Sequence, residues 1–342
     1  MGGGTEVHMK IAVIGAGSWG TAIANLLGES GHNVSIWARK PEVVQGINVR
    51  HRNPRYLTDA DLSENIVATV SYEDCVANAK AVVVVTPSNL MRGVARALDR
   101  VCDQDMPILI CSKGVEQDSA MLAVEIFEQE MGNADRLAVL SGPNHAEEVI
   151  RKIPSATVIA SSNLETAELF QGLFATESFR TYVSDDVVGV EVCAASKNVI
   201  AIAVGIAYGI GCGDNTAALL MTRGQAEMSR LVYALGGKAI TCMGLAGTGD
   251  LIATCMSRHS RNRRFGEMVA KGKTIDDFTA ETHMVAEGAL ACKTLLPLAK
   301  RVGVELPITE VVRQVVWEGL DAREASHELA SRSLKEEFYG LE

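Results

Sequence analysis

Residues 10–20 read Lys-Ile-Ala-Val-Ile-Gly-Ala-Gly-Ser-Trp-Gly. The apolar run Ile11 to Ile14 meets Gly15-x-Gly17-x-x-Gly20, and a helix-forming stretch follows. Gly15 permits a tight strand-to-helix turn. Gly17, with no Cβ, lets a pyrophosphate approach the backbone, and Gly20 lets the helix pack closely on the strand. The helix start then presents unpaired N–H groups and a positive dipole end to the phosphates. A strand before the glycines and a helix after them make this a dinucleotide-binding signature rather than a bare glycine pattern.

Working outward, the first half of the chain alternates strand-like and helix-like segments. Strands are expected at 10–14, 33–38, 81–86, 108–112, 138–141, 157–160 and 180–183. Helices are expected at 19–29, 90–101, 119–131 and 165–174. Such alternation predicts an α/β, Rossmann-type, doubly wound parallel sheet. From about Val187 the strand pattern ends, and helical segments follow at 188–208, 216–235, 263–271, 286–301 and 308–317. The division expected is a dinucleotide-binding domain over 9–187 and an all-helical substrate domain over 188–342, with no Pro- or Ser-rich linker between them. In an open α/β sheet, ligands bind beyond the C-terminal strand ends. The loops there are Thr86-Pro87-Ser88, Ser112-Lys113-Gly114 and Ser141-Gly142-Pro143-Asn144, and they are expected to line one crevice with the Gly15–Gly20 loop.

The 342 residues carry a net charge of −10. This argues against nucleic acid as a partner and against a polybasic membrane anchor. An anionic substrate would need a local basic site. The eight cysteines form no CxxC and no zinc-like pairing with histidine, so no metal site is expected, and scattered thiols point to a reducing compartment, the cytoplasm. Residues 1–8 lack an apolar signal region, and the longest apolar run, 199–213, is too short to cross a bilayer and reads as a buried core helix.

The second strand ends Val34-Ser35-Ile36-Trp37-Ala38-Arg39-Lys40. A NAD site usually places a carboxylate here for the ribose 2′-OH. Arg39 and Lys40 stand there instead and would attract a 2′-phosphate, which favours NADP(H). The nearby Glu42 leaves NAD(H) usable, and the plainer reading is a solvated Arg-Lys turn.

Lys197 lies on an apolar helical face, with Cys193, Ala194, Ile200 and Ala201 three and four positions away. A buried lysine has a lowered pKa, which suits a general base acting on an alcohol near neutrality. It reads equally as a lysine that snorkels to solvent or pairs with a carboxylate from another element. The stretch 257–264 carries four arginines in an acidic chain. It is either a phosphate grip or a solvated basic face. Asp250, after Gly244-Leu-Ala-Gly247-Thr-Gly249, would accept bonds from substrate hydroxyls, hold Lys197 or cap the next helix.

Taken in order, Gly15-Ala-Gly-Ser-Trp-Gly20, Ser112-Lys-Gly114, Ser141-Gly-Pro143, Lys197-Asn-Val-Ile-Ala201, Gly247-Thr-Gly-Asp250, Ser260-Arg-Asn-Arg-Arg-Phe-Gly266 and Val285-Ala-Glu-Gly288 closely resemble the bacterial NAD(P)-dependent glycerol-3-phosphate dehydrogenases over nearly the whole chain. The resemblance implies cofactor contacts by Ser18, Trp19, Arg39, Lys113, Ala146, Arg261, Val285 and Glu287. It implies substrate contacts by Lys113, Gly142, Asn144, Asp250, Ser260, Arg261 and Asn262, with Lys197 as the proton acceptor. It also implies a helical domain of the 6-phosphogluconate dehydrogenase type, a homodimer, a phosphorylated small-molecule substrate and a role in supplying glycerol phosphate for phospholipids. Asn144-His145 departs from the family's Ser or Thr followed by Phe, and Ala286 replaces a larger apolar residue. Two other readings are a β-hydroxyacid dehydrogenase on the same architecture and a non-catalytic NADPH-binding regulator.

Overall fold

The computed structural model describes residues 8–257, 260–282 and 286–340. The chain forms two compact units. The first comprises the residues up to Ser112, Ala123–Leu140 and Asn144–Asp185; the second comprises Lys113–Leu122, Ser141–Pro143 and the residues from Asp186 onward. Two short segments of the N-terminal half thus group with the helical unit, Lys113 and Gly142 among them.

The strands are β1 (Lys10–Ile14), β2 (Asn33–Trp37), β3 (Ile66–Thr69), β4 (Ala81–Val84), β5 (Ile108–Ile110), β6 (Leu137–Ser141), β7 (Ser155–Ala160) and β8 (Phe179–Ser184). They form one sheet in the order β3-β2-β1-β4-β5-β6-β7-β8. β1 pairs in parallel with β2 and β4, β2 with β3, β4 with β5, β5 with β6, and β7 with β8. The helices interleaved with them are α1 (Ser18–Glu29), α2 (Pro41–Arg50), α3 (Tyr72–Val76), α4 (Met91–Asp99), α5 (Ala123–Met131), α6 (Ala146–Val149) and α7 (Leu164–Phe174).

β1, β4 and β5 are continuous apolar runs because both of their faces are covered. The chain leaves β1 toward β2 and β3 on one side and returns to β4 on the other. The C-terminal end of β1 is therefore the topological switch point, where such sheets bind ligands. In this unit β3, α2 and the short helices α3 and α6 escaped the sequence reading. β3 is a four-residue edge strand whose alternate residue Val67 faces solvent, too short to leave a period. α2 buries only Val43, Gly46 and Ile47, so its apolar stripe is thin.

The second unit is helical: α8 (Val187–Gly209), α9 (Asp214–Ala234), α10 (Asp250–Met256), α11 (Arg261–Val269), α12 (Ile275–Thr282), α13 (Glu287–Arg301), α14 (Pro307–Arg313) and α15 (Ala322–Ala330). By length and composition α8 is apolar enough to cross a membrane, yet 89% of its most apolar window is buried inside the protein. A helix apolar on every side is a core helix when others surround it, and α9, α10, α11 and α13 pack on α8. Asp186 fixes its start. Its carboxylate accepts from the Gly189 amide at 2.9 Å, the Lys238 amide at 2.9 Å and the Thr241 hydroxyl at 2.5 Å. A π-helical turn, Leu245–Gly249, leads directly into α10 and sets the direction of Asp250.

Candidate active site

In the first unit the glycine loop is built as its spacing implies. Gly15 has φ +122°, and a Cβ there would lie 2.4 Å from the Val85 carbonyl oxygen. A Cβ on Gly20 would lie 1.8 Å from the Gly15 carbonyl oxygen, so neither position accepts a larger residue. Gly17 is the N-cap of α1 and faces open space, and no side chain caps the helix. The first-turn amides of α1, which begin with Ser18 and Trp19, are thus left to an acceptor from outside the helix. The indole Nε1 of Trp19 is buried without a partner. Arg39 is exposed just past β2, and Lys40 is the N-cap of α2. An open cradle at Gly17, uncapped amides and two cations at the β2 end fit a dinucleotide with an anionic ribose substituent.

The second unit contains a buried charge cluster. The Asp250 carboxylate, on the first residue of α10, receives Lys113 Nζ at 2.9 Å and Ser141 Oγ at 3.3 Å on Oδ2. Its Oδ1 receives Lys197 Nζ, from the middle of α8. Lys197 also donates to Thr254 Oγ1 at 2.9 Å, one turn along α10 from Asp250. The side chains of Lys197 and Asp250 are 7% and 3% exposed and that of Lys113 is 15% exposed, so their pairing is poorly screened by water.

Two ammonium groups on one carboxylate leave the cluster net positive. Burial holds the Lys197 ammonium down to about 8, working against the Asp250 carboxylate, which favours its charged form. Burial also pushes the Asp250 carboxyl up, but Lys113 and Lys197 outweigh it and hold it below the usual range. Lys197 is therefore both things the sequence left open: it pairs with a carboxylate from another element, and it is buried enough to titrate near neutrality. A group so placed can give or take a proton within the working pH range.

Around this cluster, Asn262 is buried and bridges three helices. Its amide donates to Asn198 Oδ1 at 2.9 Å, and its Oδ1 accepts from the Gly288 amide at 2.9 Å. Asn198 is the neighbour of Lys197, so Asn262 ties the lysine's helix to α11 and to the start of α13. Ser260 caps α11, its Oγ accepting from the Arg263 amide at 3.2 Å. Arg261 is the first residue of α11 and is exposed. Arg263 is taken up structurally, pairing with Glu267 at 2.9 Å and lying over the Tyr208 ring. Glu287 begins α13, and its charge acts on Lys197. Gly142 lies in the segment Ser141–Pro143 of this unit. Asn144 and Ala146 belong to the first unit, where Asn144 is buried and donates to Thr157 Oγ1 at 3.0 Å. Val285 lies outside the described residues.

The family description NAD-dependent glycerol-3-phosphate dehydrogenase N-terminus matches residues 10–167, and its C-terminal counterpart matches 186–327. The chain belongs to the NAD-dependent glycerol-3-phosphate dehydrogenase family. It is 43% identical over 331 residues to glycerol-3-phosphate dehydrogenase [NAD(P)+] of Chlorobium luteolum, covering 96% of this chain and 99% of that one. A protein of the same description from Clostridium perfringens is 42% identical over 328 residues, with the same coverage. The crystal structure of glycerol-3-phosphate dehydrogenase from Coxiella burnetii superposes with a TM-score of 0.91 at 34% identity, covering 95% of this chain and 99% of that one.

Within this dehydrogenase family member, sequence reasoning missed two residues. Thr254 touches the lysine, and its signal was available as the position one helical turn beyond Asp250. Asn53 is wholly buried and donates to the Ala16 carbonyl oxygen in the glycine loop at 3.0 Å. It sits in a loop with no periodicity to mark it.

Proposed function

We propose that this chain catalyses the NAD(P)-dependent interconversion of dihydroxyacetone phosphate and sn-glycerol 3-phosphate. The observation that carries this reading is the buried Lys197–Asp250–Lys113 cluster, in a chain whose glycine loop and family assign it to the dehydrogenases. The dinucleotide is held by residues 9–187, through Gly15, Gly17, Ser18, Trp19, Gly20, Arg39 and Lys40. The substrate is held by residues 188–342 together with Lys113 and Gly142. Lys113, Ala146, Arg261, Val285 and Glu287 are the remaining cofactor contacts that the resemblance supports, and Asn144 a further substrate contact.

When bound, the nicotinamide supplies the hydride for reduction of the substrate C2 carbonyl and accepts it in the reverse direction. The protein's own residues manage the proton and the charge. In reduction, the Lys197 ammonium donates a proton from Nζ to the forming alkoxide at C2. In oxidation, the neutral amine takes the C2 hydroxyl proton. Asp250 holds Nζ in place through Oδ1, and Thr254 fixes it from a second direction. Lys113 supplies the second positive charge facing the anionic substrate. Arg261 and Ser260 at the start of α11 bind the phosphate, where a helix N-terminus adds its own positive end. That phosphate is remote from C2, so its binding energy orients the carbonyl.

Steady-state reduction of dihydroxyacetone phosphate, with NADPH and NADH in parallel, tests the reading directly. Turnover on 3-hydroxy acids and none on the phosphate ester would replace it with the hydroxyacid dehydrogenase alternative. Because Lys197 titrates near 8, the reduction rate falls as pH rises through about 8, when the donor loses its proton. The oxidation rate rises through the same window. A reduction profile flat between pH 7 and about pH 9 would remove Lys197 from the proton path. Arg261→Ala raises KM for dihydroxyacetone phosphate by about tenfold or more, the loss of one charge-assisted contact. A change in NADPH affinity alone would move the phosphate grip elsewhere. We assign the working form as a homodimer, as the family resemblance implies, and its place as the cytoplasm, which the eight free thiols support.

A further inference from the structure

Arg55 and Glu42 form an ion pair at 3.1 Å beside the β2 end, and both side chains are about half exposed, 44% and 55%. An exposed pair of this kind contributes little to stability. Its position is nevertheless fixed from inside the protein. Asn53 is wholly buried, and its amide donates to the Ala16 carbonyl oxygen at 3.0 Å and to Thr21 Oγ1 at 2.8 Å. Its Oδ1 accepts from the backbone amides of Arg55 at 3.0 Å and Tyr56 at 3.2 Å. One buried side chain thus locks the Arg55 backbone to the loop that receives the dinucleotide's phosphates.

Glu42 lies in the first turn of α2, two residues past Lys40. Its carboxyl is held below the usual range by the backbone at the helix start, then by Arg55 and Lys40. A carboxylate at the end of the second strand is the group that accepts a ribose 2′-OH and repels a 2′-phosphate. Here that position holds Arg39 and Lys40, and the nearby carboxylate, Glu42 in the first turn of α2, is engaged by Arg55. We infer that Arg55 is a coenzyme-specificity residue: by neutralising Glu42 it lets Arg39 and Lys40 present an unopposed positive face to a 2′-phosphate. Asn53 is the positioning residue that keeps it there. This rests on the NADP(H) reading given above and names the control on that choice.

The test is a cycle of Arg55→Gln, Glu42→Gln and the double variant. Calorimetric binding of 2′,5′-ADP and 5′-AMP is measured at low salt and at about 0.5 M salt, alongside kcat/KM with NADPH and NADH. Arg55→Gln should lower the preference for 2′,5′-ADP over 5′-AMP by about five- to tenfold, and Glu42→Gln should raise it. In the Glu42→Gln background the effect of Arg55→Gln should shrink to about twofold or less, because Arg55 acts through Glu42. High salt should narrow the difference. An unmoved preference in Arg55→Gln overturns the inference, as does an equal loss in both backgrounds, which would make Arg55 a direct phosphate ligand. A wild type that favours NADH and 5′-AMP overturns the NADP(H) reading instead. A wild type with no turnover on either coenzyme overturns the dehydrogenase reading.

Discussion

Lys197→Ala lowers kcat for dihydroxyacetone phosphate reduction by about 10³- to 10⁴-fold while NADPH binding persists. The size follows from the role we propose for the residue. A positioned general acid contributes about 10²- to 10⁴-fold, and in that role the same ammonium would also supply part of the positive charge facing the developing alkoxide. Among the described residues bonded to Asp250 or Lys197, none takes over its role. Lys113 bonds to the opposite oxygen of Asp250, and Thr254 and Ser141 are hydroxyls that hold no transferable charge at neutral pH. Lys197→Met, which keeps most of the apolar stem, should lose as much turnover as Lys197→Ala and so separates lost chemistry from an empty space in α8. NADPH fluorescence titration provides the check on coenzyme binding. Near-normal turnover in either variant would refute the proton-transfer role.

Asp250→Asn is expected to cost both activity and stability. The carboxylate is the shared counter-charge of two ammonium groups in a site of low solvent exposure. Replacing it with a neutral amide leaves two buried like charges facing each other and puts N–H donors where an acceptor is required. Removing one partner of a buried ion pair typically costs about 3–5 kcal/mol, to be read from urea unfolding midpoints. The kinetic signature is more specific. Asp250 favours the charged form of Lys197 while burial opposes it, so loss of the carboxylate moves the Lys197 titration below 8. The descending limb of the reduction profile should shift to lower pH, with kcat down by about 10²-fold or more. A loss of stability with an unshifted pH profile would make Asp250 a structural anchor and nothing more.

The fold was legible because its signals are local. The run Ile11–Ile14 followed by three spaced glycines fixes a strand, a turn and a helix start by sterics alone, and φ +122° at Gly15 is what that spacing requires. The all-apolar stretch of α8 marked a core helix by composition. β3 and α2 were silent because a four-residue edge strand and a thinly buried helix carry too few apolar residues to show a period. The site was half legible. Lys197 stood out as a charge among apolar neighbours, and Arg39 and Lys40 as cations where a carboxylate is usual.

What the residues alone could not decide was how these charges pair. Lys113 and Lys197 lie far apart in sequence, and they meet on Asp250 because a π-helical turn aims the start of α10 at the middle of α8. Asn53 and Arg55 became visible only through the loop that brings them to Ala16 and Glu42. The sequence by itself determined the dinucleotide loop and the two-part architecture, since backbone sterics and hydrophobic periodicity act over a few residues. The tertiary structure decided the lowered titration of Lys197 and the partner of Glu42, since desolvation and ion pairing depend on which distant residues share a site.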